Sequence, residues 1–242
     1  MSFLFQRKNK KRDLHKSSNM DLITKNPDPS LSEAFKAVRT NIMYTLSNVD
    51  GGKAVLVTSA FSAEGKTTTS INLAATLSLT EARVLLIDAD LRRPRIHTYL
   101  GVKNTEGLAN HLGGFSEISS IVKRYKEFDF DYITAGDIPP NPAELLSSKK
   151  SFEFVEEIKK HYDYIIFDTS PVNAVADALS LSSFVKHVIF VCRCGVSLTS
   201  ETKRAISALE FAKSKILGFI TINAQNKKIK NFDTYSGYYY YK

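Results

Sequence analysis

Three groups of residues in this chain have the type and spacing for phosphate chemistry. The first is Ala60–Thr67, A-F-S-A-E-G-K-T, with Thr68 following. It fits A-x-x-x-x-G-K-T, a phosphate-binding loop with alanine in the first glycine position. Main-chain N–H groups of Ser62, Ala63, Glu64 and Gly65 can cradle phosphate oxygens, and the N-terminus of a following helix adds its partial positive charge. Gly65 permits a tight turn. Lys66 brings a point charge to the β- and γ-phosphates. Thr67 offers a hydroxyl to magnesium, and Thr68 extends the site.

The second group is V-L-L-I-D-A-D-L-R-R-P, where Asp88 and Asp90 close an apolar run and Arg92 follows. On an extended chain residues two apart face the same way. Two carboxylates held together are costly unless a cation sits between them or one of them moves protons. The third group is Y-I-I-F-D-T-S-P, a single Asp168 ending another apolar run, as a magnesium-orienting carboxylate does. Lys66, Asp88, Asp90 and Asp168 form the expected catalytic set. Thr67, Asp88, Asp90 and Asp168 form the expected magnesium set, with ATP as the nucleotide.

The elements that must position these groups are short apolar runs: 54–58, 84–88, 131–134, 164–168, 188–192 and 216–222. Helical segments separate most of them. Near-continuous apolar strands alternating with helices predict an α/β fold: a P-loop NTPase with a mainly parallel sheet flanked by helices on both faces. Ligands in such sheets bind at the carboxyl ends of strands, where all three groups fall. An amphipathic helix is expected from Ser30 to about Ser47, with Ser30 and Glu33 as a capping box and Phe35, Val38, Ile42 and Leu46 on one face.

The chain of 242 residues divides into a basic tail (1–29), a catalytic domain (30–225) and a tyrosine-rich tail (226–242). The formal charge is +8. Residues 1–16 hold six basic groups and one acid, so a large part of that charge lies in the first tail, where it favours anionic partners such as phospholipid or nucleic acid. No secretory signal or membrane-length apolar run is seen. Cys192 and Cys194, two apart on a strand, are expected to stay reduced, and the five histidines show no metal spacing. The second tail holds Tyr235, Tyr238, Tyr239, Tyr240 and Tyr241.

Together the loop, the D-x-D-x-R element and the D-x-x-P element resemble the bacterial tyrosine kinases, in particular the Gram-positive type encoded with capsule and exopolysaccharide genes. Further matches are A-G-D-I-P-P-N-P-A-E-L-L (135–146), similar to a family segment, and the helix motif E-x-x-R-x-x-R, which falls on Glu33, Lys36 and Arg39. The resemblance implies a protein-tyrosine kinase that assembles as a homo-oligomeric ring through Glu33, Lys36 and Arg39. It would autophosphorylate the five tail tyrosines in trans and regulate polysaccharide synthesis and export. It implies Asp88 as the base, Asn223 near the nucleotide base, a transmembrane activator acting through a cytoplasmic segment, and an opposing tyrosine phosphatase. The chain would be cytoplasmic and recruited to the inner face of the cell membrane, with no nucleic-acid partner. Ala63 replaces a usual glycine, Lys36 a usual arginine, and D-T-S-P the commoner D-T-P-P.

Two other readings compete. A positioning ATPase of the MinD/ParA type would need a second loop lysine where this chain has Phe61, and has no use for five clustered tyrosines. A nucleotide-sensing scaffold of a polysaccharide assembly complex would have no need of the intact carboxylates.

Overall fold

A computed structural model describes residues 29–223. Most of tail 1–29 and all of tail 226–242, with its five tyrosines, lie outside the described residues. The strands are β1 (Lys53–Ser59), β2 (Val84–Asp88), β3 (Lys123–Tyr125), β4 (Phe130–Ile133), β5 (Tyr164–Asp168), β6 (His187–Arg193) and β7 (Lys215–Ile222). The helices are α1 (Pro29–Thr45), α2 (Lys66–Ser78), α3 (Ile96–Leu100), α4 (Leu108–Leu112), α5 (Ile118–Ile121), α6 (Pro142–Ser147), α7 (Lys149–Ile158), α8 (Asp177–Ser182) and α9 (Thr199–Phe211).

The strands form one sheet in the order β3-β4-β2-β5-β1-β6-β7, parallel throughout except for β3. The six apolar runs are β1, β2 and β4–β7. β2 and β5 are buried along their whole length, because helices cover both faces of the sheet. One apolar layer gathers Leu56, Leu85, Phe154, Phe167 and Phe190 under α7–α9; the other gathers Val57, Leu73, Leu86 and Ile166 under α1 and α2. β3 carries no apolar run. It is a polar edge strand, with Arg124 bonded to Asp129 and Asp131, and its charge discourages further pairing at that edge.

Some expectations change. α1 begins at Pro29, so Ser30 sits inside its first turn and does not cap it. Phe35, Ile42 and Leu46 are buried on the predicted face. His111, in the last turn of α4, is buried, bonds the Ser116 carbonyl at 2.8 Å through Nδ1, and packs against Phe154. Cys192 and Cys194 are free thiols. No described helix is long and apolar enough to cross a membrane.

Candidate active site

The phosphate loop joins β1 to α2 at the carboxyl edge of the sheet, and two residues hold it in left-handed backbone. Gly65 has φ 97°, and a side chain there would press on Ile222 Cγ1 at 3.0 Å. Ala63 has φ 63°, a conformation that its Cβ disfavours. The alanine at this position is therefore accommodated under strain. Lys66 opens α2 and is only 8% exposed. Burial lowers its pKa, and the fields of Asp168, Asp90 and Glu64 oppose that change.

Asp88 and Asp168 end adjacent parallel strands in register, so their carboxylates lie side by side about one strand spacing apart. Both are fully buried. Desolvation pushes Asp168 up to about 6, against hydrogen bonds from the Thr67 and Ser70 hydroxyls. Asp88 is raised well above the carboxylate range by burial first and by Asp168 second. Its Oδ2 accepts the N–H groups of Arg95 and Ile96, both at 2.9 Å, while its Oδ1 has no partner. β2 stops at Asp88, so Asp88 and Asp90 do not share a strand face as expected. Asp90 instead lines a cleft of about 280 Å³ with Ser62, Gly65, Lys66 and Thr67. Asp90 Oδ1 accepts the Arg93 N–H at 3.1 Å, and desolvation raises its pKa while that bond and Lys66 lower it.

A second cavity of about 430 Å³ adjoins the loop, lined by Phe35, Thr68, Asn72, Tyr99, Arg193 and Asn223 among others. Arg193 ends β6, and its Nη1 donates to the Ala63 carbonyl at 2.9 Å. With its amide turned to satisfy both groups, the Asn223 side-chain oxygen accepts from Arg193 Nη2 at 3.1 Å and Nε at 3.3 Å. The structure thus brings Ser62, Ala63, Gly65, Lys66, Thr67, Thr68 and Asn223 around two adjoining cavities. The Glu64 side chain is turned away from both. Its Oε2 accepts the Phe61 N–H at 2.8 Å, and its Oε1 bonds the Ser197 hydroxyl, stapling the loop to the segment after β6.

Arg92 is held by an acid from another element. It makes a bidentate pair with the buried Asp177, Nε–Oδ2 2.8 Å and Nη2–Oδ1 3.1 Å, which fixes the turn after Asp90. On α1, Lys36 pairs with Glu33 at 2.7 Å on an exposed face, while Arg39 donates to the Thr76 carbonyl of α2 at 3.1 Å. Sequence reasoning missed Ser197 and Asp177, whose partners lie 133 and 85 positions away, with no local pattern to mark them.

The cleft suits a hard cation beside phosphates. Its oxygen donors are the Thr67 hydroxyl and the Asp90 carboxylate, and the buried oxygen without a partner, Asp88 Oδ1, belongs to the strand end two residues before Asp90. Among the described residues no three such side chains converge to hold a metal unaided. A cation there needs further oxygens, as magnesium ordinarily takes them from nucleotide phosphates.

Residues 53–199 match the family described as AAA domain. The tyrosine-protein kinase YwqD of Bacillus subtilis is 42% identical over 209 residues, 86% of each chain. The Staphylococcus aureus protein CapB is 36% identical over 216 residues, 89% of this chain and 91% of its own. Among solved structures, the kinase domain of the Escherichia coli tyrosine kinase ETK superposes with a TM-score of 0.80 at 32% identity, covering 96% of this chain and 90% of that one. With the phosphate loop and both carboxylate strand ends in place, and relatives matched over most of their length, the chain belongs to the bacterial tyrosine-protein kinases.

Proposed function

We propose that this kinase transfers the γ-phosphoryl group of ATP to Tyr235, Tyr238, Tyr239, Tyr240 and Tyr241 of a neighbouring copy, and so regulates the synthesis and export of a capsular polysaccharide. The observation that carries the reading is one buried cation, Lys66, at the head of α2 with the carboxylates of Asp90 and Asp168 in its field. That arrangement is built to hold a polyanion and offset charge that develops on it.

The nucleotide phosphates lie over the N–H groups of residues 62–68, and Asn223 stands toward the base. In the transfer the tyrosine oxygen bonds the γ-phosphorus. The bond from that phosphorus to the β–γ bridging oxygen breaks, and its electron pair leaves with ADP. The phenolic proton passes to a carboxylate. By the family resemblance that role falls to Asp88, whose Oδ2 accepts two N–H groups while its Oδ1 has no partner. A bound magnesium ion would be held by Thr67 and Asp90, with Asp168 orienting its shell, and would neutralise phosphate charge.

Each transfer adds about −1.5 to −2 charges to the tail. Tails docked in neighbouring sites then repel, which opens a ring held through Glu33, Lys36 and Arg39. A transmembrane activator would supply its cytoplasmic segment and recruit the chain to the inner face of the membrane. The basic N-terminus adds acidic-lipid contact, and a tyrosine phosphatase resets the cycle. The test is magnesium-dependent phosphotyrosine formation from labelled ATP by the full chain, alone and fused to the activator's cytoplasmic segment. Label requires Lys66 and is largely lost when the five tail tyrosines become phenylalanine. ATP hydrolysis without protein label, stimulated by DNA or lipid, would instead establish a positioning ATPase.

A further inference from the structure

The segment 135–146 was singled out in the sequence, yet nothing in the phosphate chemistry uses it. In the structure it forms one wall of a groove of about 290 Å³ between α4 and α6, lined by Asn110, Phe115, Asp137, Ile138, Pro139 and Pro140 among others. Phe115 is 85% exposed and Ile138 66% exposed, an apolar pair with two prolines that covers no core.

This ledge is held rigid. Gly136 turns at φ 77°, where an added Cβ would meet Asn110 Oδ1 at 2.0 Å. Asn104 bonds the Gly136 carbonyl at 2.9 Å and its N–H at 2.8 Å. Asn110 donates to Asp137 Oδ2 at 2.8 Å and accepts the N–H groups of Gly107 and Asp137 at 3.1 and 3.2 Å. Two asparagines thus fix an apolar surface in advance of any contact, an arrangement that lowers the ordering cost of binding. Asp137 and Glu144, beside it, take part in no ion pair among the described residues.

The ledge also follows a strand that ends at the same edge of the sheet as the chemistry. Ile133 of β4 pairs with Ile87 of β2, so the 134–141 loop leaves the sheet at the strand end neighbouring Asp88. Beyond Asn223 the chain continues through Lys227, Lys228 and Lys230 to the five tyrosines and Lys242, with Asp233 its single acid. That segment is basic and aromatic, complementary in charge and apolarity to the ledge. Tyr235 to Tyr241 spans roughly 20 Å when extended, so one segment can offer several rings to this edge of the sheet.

We propose that this ledge is a docking groove for residues 224–242 of a neighbouring copy: aromatic rings pack on Phe115, Ile138 and the two prolines, and tail lysines face Asp137 and Glu144. The proposal rests on the tail being the acceptor. Its experiment uses the full chain with the five tail tyrosines changed to phenylalanine, as enzyme, and a labelled synthetic peptide of residues 224–242. Peptide binding is read by fluorescence anisotropy and phosphorylation by steady-state kinetics, beside the same enzyme carrying Phe115→Ser and Ile138→Ser. The expected result is binding weakened about tenfold and KM raised about tenfold for the long peptide. Both kcat and the KM of a five-residue tyrosine peptide stay within twofold. Equal binding of the long peptide to both enzymes, or no binding to either, overturns the groove even if the peptide is phosphorylated. Binding to the ledge without phosphorylation keeps the groove and sinks the acceptor reading. A change in oligomeric state by sedimentation with unchanged peptide affinity assigns the ledge to a subunit interface and overturns the proposal.

Discussion

Replacing Asp168 by Asn stabilises the nucleotide-free, metal-free protein at pH 8 and does little for it near pH 4. Asp168 is 1% exposed, and its pKa stands at about 6 against an ordinary 3.8. The folded state therefore holds a proton that the unfolded state has released across that interval. Stability contributed by this group falls as pH rises from about 4 to about 6, and the whole penalty remains above the folded value. Converted at about 1.4 kcal/mol per pH unit, it is on the order of 3 kcal/mol, shared with Asp88 beside it. That value already includes the bonds from Thr67 and Ser70, but the Asn amide must find partners for its own N–H groups in the same buried site, so about 1–2 kcal/mol of net gain is expected from Asn. For a chain of this size that is roughly 2–8 °C in Tm. Thermal unfolding of both proteins from pH 4 to 8 in chelator reads it directly. Added ATP and magnesium should reverse the order, since they stabilise only the protein that binds them. A difference independent of pH, or a more stable wild type at pH 8 without ligand, would refute the reasoning.

Lys66→Met should lower phosphotyrosine formation at least a thousandfold while far-ultraviolet circular dichroism is unchanged. Ala63→Gly relieves a left-handed alanine; against the entropy that glycine adds to the unfolded chain, a net gain of up to about 1 kcal/mol is expected in the urea midpoint. Arg92→Ala leaves the Asp177 carboxylate buried and unpaired. It should cost roughly 1–3 kcal/mol, discounted because the arginine is 42% exposed, and a second change of Asp177 to Asn should restore much of it. Asp88→Asn should lower kcat and flatten the acid limb of the pH–rate profile, because Asp88 takes the phenolic proton.

The six long strands were legible because β1, β2 and β4–β7 are apolar runs that both helical layers must cover. β3 was not, since Lys123-Arg124-Tyr125 sits at an edge and buries little. Lys66 and the strand-end aspartates stood out because loop chemistry is local in sequence. What the carboxylates face was hidden. Asp88 and Asp90 look equivalent in D-A-D, but the strand ends at the first of them, and Arg95 and Ile96 fold back onto it. Glu64 reads as a loop residue until Ser197 arrives from across the sheet. Arg193 likewise gains its place only when β6 is laid beside β1.

The central position of β1 also governs when the protein can fold. Thr58 bonds the Ser170 carbonyl, and the Thr169 hydroxyl bonds the Val57 carbonyl, each bridging 112 positions. The loop strand therefore has no lateral partner as it leaves the ribosome. At about 5–20 residues per second, roughly 6–22 seconds pass before β5 is made, and β6 follows later still. During that interval an apolar strand waits with both edges bare, the condition in which chaperones are recruited and aggregation begins. A nascent chain thus cannot hold nucleotide until most of the domain has been synthesised, and phosphotransfer is confined to finished molecules.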